Sequence, residues 1–143
     1  MVLSKKKTIR LCAFMLALLL CISLLSPIAM AERGSAYIFS YGADMSAGNN
    51  GKVTAWFTIT GTGMMDQIGS TTINIYENGT FVKSYSHTTT TGMMASDKFY
   101  HSGSVTYDGT VGKSYYAFIT YQCGKNGDWD NRSLQSPSVT AKW

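Results

Sequence analysis

The stretch TINIYENGTFVKSYSH, residues 72–87, decides how this chain is read. Ile73 and Ile75 alternate with Asn74 and Tyr76 up to an Asn78-Gly79 pair, and a second mixed run follows. Alternation at period two belongs to a strand with one buried face. Asn-Gly supplies the two positive φ angles of a type I′ turn, so 72–77 and 80–87 form a β-hairpin. A two-residue turn pairs Glu77 with Thr80, Tyr76 with Phe81, Ile75 with Val82 and Asn74 with Lys83. Directly opposed residues share a face. One face then carries Ile73, Ile75, Val82 and Ser84, which reads as core. The other carries Asn74, Tyr76, Phe81, Lys83 and Tyr85, which reads as the outside.

The same pattern extends in both directions. Strands are expected over 36–41, over 52–60 with Val53, Ala55, Phe57 and Ile59 in phase, and over 99–107. Two more are expected over 113–123, with Tyr115, Ala117, Ile119 and Tyr121 in phase, and over 138–143. The polar run GKNGDWDNR at 124–132 reads as a solvated loop, because Asp, Asn and Gly favour turns. No segment has the spacing of an amphipathic helix. Seven short strands punctuated by Gly, Asn, Asp, Ser and Thr predict an all-β fold, a single antiparallel β-sandwich over 32–143.

Residues 1–31 read as a signal peptide: basic MVLSKKKTIR, an apolar run from Leu11 to Leu25, then small residues ending at Ala29-Met30-Ala31. The apolar run falls short of the roughly 20 residues that a spanning helix needs. Cleavage after Ala31 would leave an extracellular chain with no membrane span. Four of the 12 basic residues (Lys5, Lys6, Lys7 and Arg10) precede the cut, and all 8 acidic residues follow it, so 32–143 is formally neutral. No cluster of Lys and Arg remains to hold phosphates, so no nucleic-acid partner is expected. Cys123 is the one cysteine beyond residue 31, which excludes an intramolecular disulfide and leaves stability to the packed core.

The segment YDGTVGKSYYAFITYQCGKNGDWDNRSLQSPSVTAK, residues 107–142, resembles the end of a fibronectin type III or immunoglobulin-like domain. The resemblance puts Tyr115 in the place of that family's corner tyrosine, at the start of a strand that runs to a Gly/Asn-rich loop and a final Ser/Thr-Val strand. It makes Trp56 a stand-in for the tryptophan expected early in such domains. It also implies that the hairpin, the 113–123 strand and the last strand share one sheet. Tyr76, Phe81, Tyr85, Tyr116 and Phe118 would then line one exposed face. The stretches TGTGMMDQIGSTTINIYE and GKSYYAFITY are also similar to small exported proteins of Gram-positive gut bacteria, a likeness that implies no activity.

Chemistry is sparse. His87 and His101 lie in Ser/Thr-rich strand segments, outside any nucleophile elbow or zinc-protease motif. Asp128 and Asp130 could form a carboxylate pair or, with Asn131, offer hard oxygens to calcium, but a solvated loop accounts for them. Thr-Gly-Met-Met occurs twice, at 62–65 and 91–94. Its methionines with Cys123 would be soft ligands for Cu(I), yet neighbouring residues in a strand face opposite ways. Each copy instead reads as a loop whose methionine plugs an end of the core. No cofactor or metal is expected. The favoured function is a secreted, non-enzymatic binding module that presents the aromatic face to a protein or a glycan. The alternatives are a small secreted hydrolase built on a histidine and a self-assembling envelope protein.

Overall fold

Three Asn-Gly pairs set turns of the fold, not one. The structure, a computed structural model, describes residues 34–143, so the signal peptide expected over 1–31 lies outside the described residues. Asn50-Gly51, Asn78-Gly79 and Asn126-Gly127 all have positive φ at both positions. They follow β1 (Ile38–Ala47), β3 (Gln67–Glu77) and β7 (Ser114–Lys125), and lead into β2 (Lys52–Met65), β4 (Thr80–Ser86) and β8 (Asp128–Gln135). The second and third are two-residue turns that close Glu77 on Thr80 and Lys125 on Asp128. β6 (Lys98–Asp108) is the remaining long strand, and β5 (Met94–Ala95) and β9 (Val139–Thr140) are two-residue pieces.

The described residues contain no helix, hence none long and apolar enough to cross a membrane. The strands form two antiparallel sheets that pack together. One has the order β1-β2-β6. The other has the order β4-β3-β7-β8, with β5 added to β3 and β9 to β7. Seven long strands are present, as the alternation predicts. One differs in place. The run GKNGDWDNR is not a loop: its Asn126-Gly127 is a hairpin turn and 128–135 pairs along β7. The strand expected over 138–143 shrinks to Val139–Thr140. The interruption falls at Ser136-Pro137. Pro137 has no N–H for a ladder, and Ser136 takes over the pairing: its N–H donates to the Ala117 carbonyl and its Oγ accepts from the Ala117 N–H (2.8 and 2.9 Å).

The core lies between the sheets. Val53, Ala55, Phe57 and Ile59 from β2 meet Ile73 and Ile75 from β3 and Tyr115, Ala117, Ile119 and Tyr121 from β7, all buried. Burying each large side chain contributes about 1.5–3 kcal/mol. The exposed Lys52–Asp108 ion pair contributes at most about 1 kcal/mol, so packing decides stability. Tyrosine hydroxyls tie the layers at both edges. Tyr121 on β7 donates to the Gly42 carbonyl on β1 (2.5 Å), and Tyr85 on β4 donates to the Thr106 carbonyl on β6 (2.8 Å). β1 and β6 are the outer strands of the smaller sheet, so each edge gains one cross-layer bond.

Each Thr-Gly-Met-Met buries one methionine, Met65 in the first copy and Met93 in the second. The first copy lies in a bulge of β2, where Thr60 pairs with Tyr100 but Met65 already pairs with Lys98. The second precedes β5, and its Met93 carbonyl accepts the Ser70 N–H (2.8 Å). Both copies flank the start of β3, so the two methionines fill the same end of the sandwich.

Candidate functional site

Cross-strand register puts the outer face of the larger sheet in rows. Tyr76 pairs with Phe81 on one side and Tyr116 on the other. The next row is Ser84, Asn74, Phe118 and Gln135, and the one after is Ser86, Thr72, Thr120 and Ser133. Tyr76 and Tyr116 stack with ring centroids 4.9 Å apart and planes 4° off parallel. Phe81 meets Tyr76 edge-on at 5.9 Å. Phe81 is 53% exposed and Phe118 39% exposed. Four of the five expected rings are therefore brought together: Tyr76, Phe81, Tyr116 and Phe118.

Tyr85 is not on that face. The hairpin register slips between Ile75 and Tyr76, so Ile75 pairs with Lys83, and Tyr85 pairs with the buried Ile73. One extra residue in β4 reverses the facing of everything beyond it. Val82 and Tyr85 pack against the core, and Lys83 stands 5.7 Å over the Tyr85 ring. Burial raises the Tyr85 phenol above its ordinary pKa, in keeping with its cross-layer hydrogen bond.

Beyond the rings this face is polar and uncharged, and its side chains largely satisfy one another. Ser84 Oγ donates to Asn74 Oδ1 (2.7 Å), Gln122 Nε2 donates to Asn131 Oδ1 (3.3 Å), and Thr120 and Ser133 share a hydroxyl contact (3.3 Å). At the far end Trp129 lies over Gly124, where an added Cβ would come 2.6 Å from the indole Cε3.

The outer face of the smaller sheet differs. Its rows are Gly42, Thr58 and Ser102, then Asp44, Trp56 and Ser104. Trp56 is 48% exposed rather than a core tryptophan, which corrects the role expected for it. Its phase against buried Ala55 and Phe57 carried that signal in the sequence. The indole Nε1 donates to Ser46 Oγ (3.1 Å), so the ring leans away from Gly42. A hollow of about 150 Å³ opens beside it, lined by Gly42, Ala43, Asp44, Trp56, Phe57 and Thr58.

The residues weighed for catalysis or metal binding are occupied structurally. His87 Nδ1 contacts the Thr71 carbonyl (3.2 Å), and His101 Nε2 contacts the Gly92 carbonyl (2.8 Å) with its ring against Phe57. Asp130 accepts from Ser35 Oγ (2.5 Å) and the Tyr37 N–H (2.8 Å), and Asp128 accepts from the Tyr37 hydroxyl (3.0 Å). These carboxylates anchor the segment that leads into β1. The Ser35 hydrogen bond holds the Asp130 carboxyl below its ordinary range, and the Asp128 contact raises the Tyr37 phenol. Cys123 is buried, and burial pushes its thiol up to about 11, so it stays protonated at neutral pH. Burial likewise raises Tyr121. Among the described residues no group of three or more His, Cys, Asp or Glu side chains could hold a metal ion.

No protein-family model matches the chain, and no curated protein matches it.

Proposed function

We propose that 32–143 is an exported, non-enzymatic binding module of fibronectin type III or immunoglobulin-like topology, working at the cell envelope or in the medium. The strand order β1-β2-β6 against β4-β3-β7-β8 supports that topology. So does Tyr115, whose buried hydroxyl accepts the Thr110 N–H five residues upstream (2.7 Å) and donates to Glu77, as a corner tyrosine would. Export rests on the sequence of 1–31.

The observation that carries the reading is the ring cluster of Tyr76, Phe81, Tyr116 and Phe118. Rings left open on a sheet face mark an interaction surface when they are contiguous. Tyrosine suits such a surface because its ring is apolar and its tip is polar. The rows beside the cluster hold amides and hydroxyls without charge, which favours a neutral glycan over a charged protein partner. Phe81 and Phe118 bind the apolar face of the ligand. Tyr76 and Tyr116, stacked on each other, hold Phe81 in place through its edge-on contact with Tyr76.

The test is a Phe81→Ser/Phe118→Ser double variant, assayed for retention on peptidoglycan and insoluble neutral polysaccharides. Retention is expected to fall at least about tenfold. Both sites are exposed, so stability should change by less than about 2 kcal/mol in total. Undiminished retention, or failure of the wild type to bind any of these matrices, would contradict the reading.

A further inference from the structure

Four polar groups on the smaller sheet are unspent. Among the described residues, the hydroxyls of Thr58, Ser102 and Ser104 have no protein hydrogen-bond partner. Asp44 uses Oδ1 to accept the Met45 N–H (2.7 Å), and its Oδ2 accepts nothing. These groups occupy adjacent rows around Trp56: Asp44 and Ser104 flank the indole directly, Thr58 stands across from Gly42, and Ser102 lies one strand beyond Thr58. Of the four, Asp44 and Thr58 line the hollow. The hollow exists because position 42 has no side chain. A Cβ there would come 3.0 Å from Thr58 Oγ1.

We propose that this hollow is a sugar subsite, which takes one neutral pyranose ring against Trp56. The C–H face of a pyranose carries partial positive charge, which suits the negative face of an indole. The Nε1–Ser46 bond fixes the ring in advance, so little side-chain entropy is lost on binding. Asp44 Oδ2 accepts from a sugar hydroxyl, a charge-assisted bond stronger than a neutral one. The Thr58 hydroxyl, which also lines the hollow, donates to or accepts from another. The Asp44 charge disfavours uronic acids and phosphorylated sugars. An organic cation could also use the carboxylate and the indole, and choline serves as the competing outcome in the test. This site is on the opposite sheet from the Tyr76 cluster and does not rest on it.

The experiment is an amide NMR titration of the labelled protein with glucose, galactose, mannose and N-acetylglucosamine, beside glucuronate and choline. At least one neutral sugar should give saturable shifts at residues 42–46, 56–58 and 102–104. Trp56→Ala should weaken that binding at least about tenfold. Gly42→Ala should weaken it by narrowing the hollow while the Trp56 ring stays in place, which keeps the test decisive if Trp56→Ala fails to fold. Phe81→Ser should leave the shifts unchanged, so failure here is separable from failure of the ring cluster. The proposal is overturned if no neutral sugar gives saturable shifts at these residues. It is also overturned if choline or glucuronate binds there more tightly, or if the shifts survive Trp56→Ala.

Discussion

The two outer faces of the sandwich share an alphabet of aromatic, Ser and Thr residues and use it differently. On the larger sheet Tyr76 touches both Phe81 and Tyr116, and the polar side chains bond one another. On the smaller sheet, among the described residues, Trp56 stacks on no other ring; the hydroxyls of Ser46, Thr54 and Thr106 in the row beside it are bonded, while those of Thr58, Ser102 and Ser104 are unspent. The first face is partly self-satisfied, so its rings stabilise the sheet as well as offering a platform. The second contributes less to the fold and leaves more bonding capacity for a ligand. A ring count alone would rank them the other way.

The core sets the scale for this contrast. Tyr121→Ala removes a ring packed against Tyr41 and Phe57 together with the bond to Gly42. Its expected cost is about 3–5 kcal/mol by chemical denaturation. An outer-face substitution that cost as much would mean that its ring is core. Tyr76→Ala comes next, at about 1–2 kcal/mol, because it breaks both the Tyr116 stack and the Phe81 contact. A Tyr76/Tyr116 double-mutant cycle should return a coupling of about 0.5–1.5 kcal/mol. A coupling near zero would remove the structural half of the contrast. Trp56→Ala should cost less than about 1 kcal/mol and add independently to Tyr76→Ala, since the two lie on opposite sheets.

The smallest effect is on acid stability. Asp130 has its pKa lowered in the folded state, chiefly by Ser35. The unfolded state therefore binds more protons in the acid range, and stability rises with pH there. The contribution is present above the ordinary carboxylate pKa and is lost as pH falls through the lowered one. Asp130→Asn should flatten the acid limb of the stability curve slightly and leave the neutral and alkaline limbs parallel to the wild type. A steeper acid limb would mean that Asp130 is not a bonded carboxylate.

The strands with clean alternation were legible. Val53 to Ile59 and Tyr115 to Tyr121 alternate because one side faces a dry core, and burial enforces the period. β8 was hidden because it is an edge strand whose inward positions are Asp130, Arg132 and Leu134, a mixture that reads as loop. Its Asn126-Gly127 turn was the available signal, identical in kind to Asn78-Gly79. The inward position of Tyr85 is not legible because a bulge leaves no mark in the local pattern: Phe81, Val82 and Lys83 look regular until the partner strand fixes the register. The phase of Trp56 places it outside, whereas the family resemblance implies a core tryptophan there. The hollow at Gly42 depends on which residues stand across from it, and no single-strand reading supplies that.

The Tyr76 cluster is expected to meet a partner. The most direct measurement is amide-shift mapping with solubilised cell-wall glycan added to the labelled protein. The largest shifts should fall at Tyr76, Phe81, Tyr116 and Phe118. Shifts confined to the other large exposed apolar residues, Phe39, Tyr41, Trp56, Met64, Phe99, Tyr100 and Trp143, or the absence of any shift, would contradict that expectation.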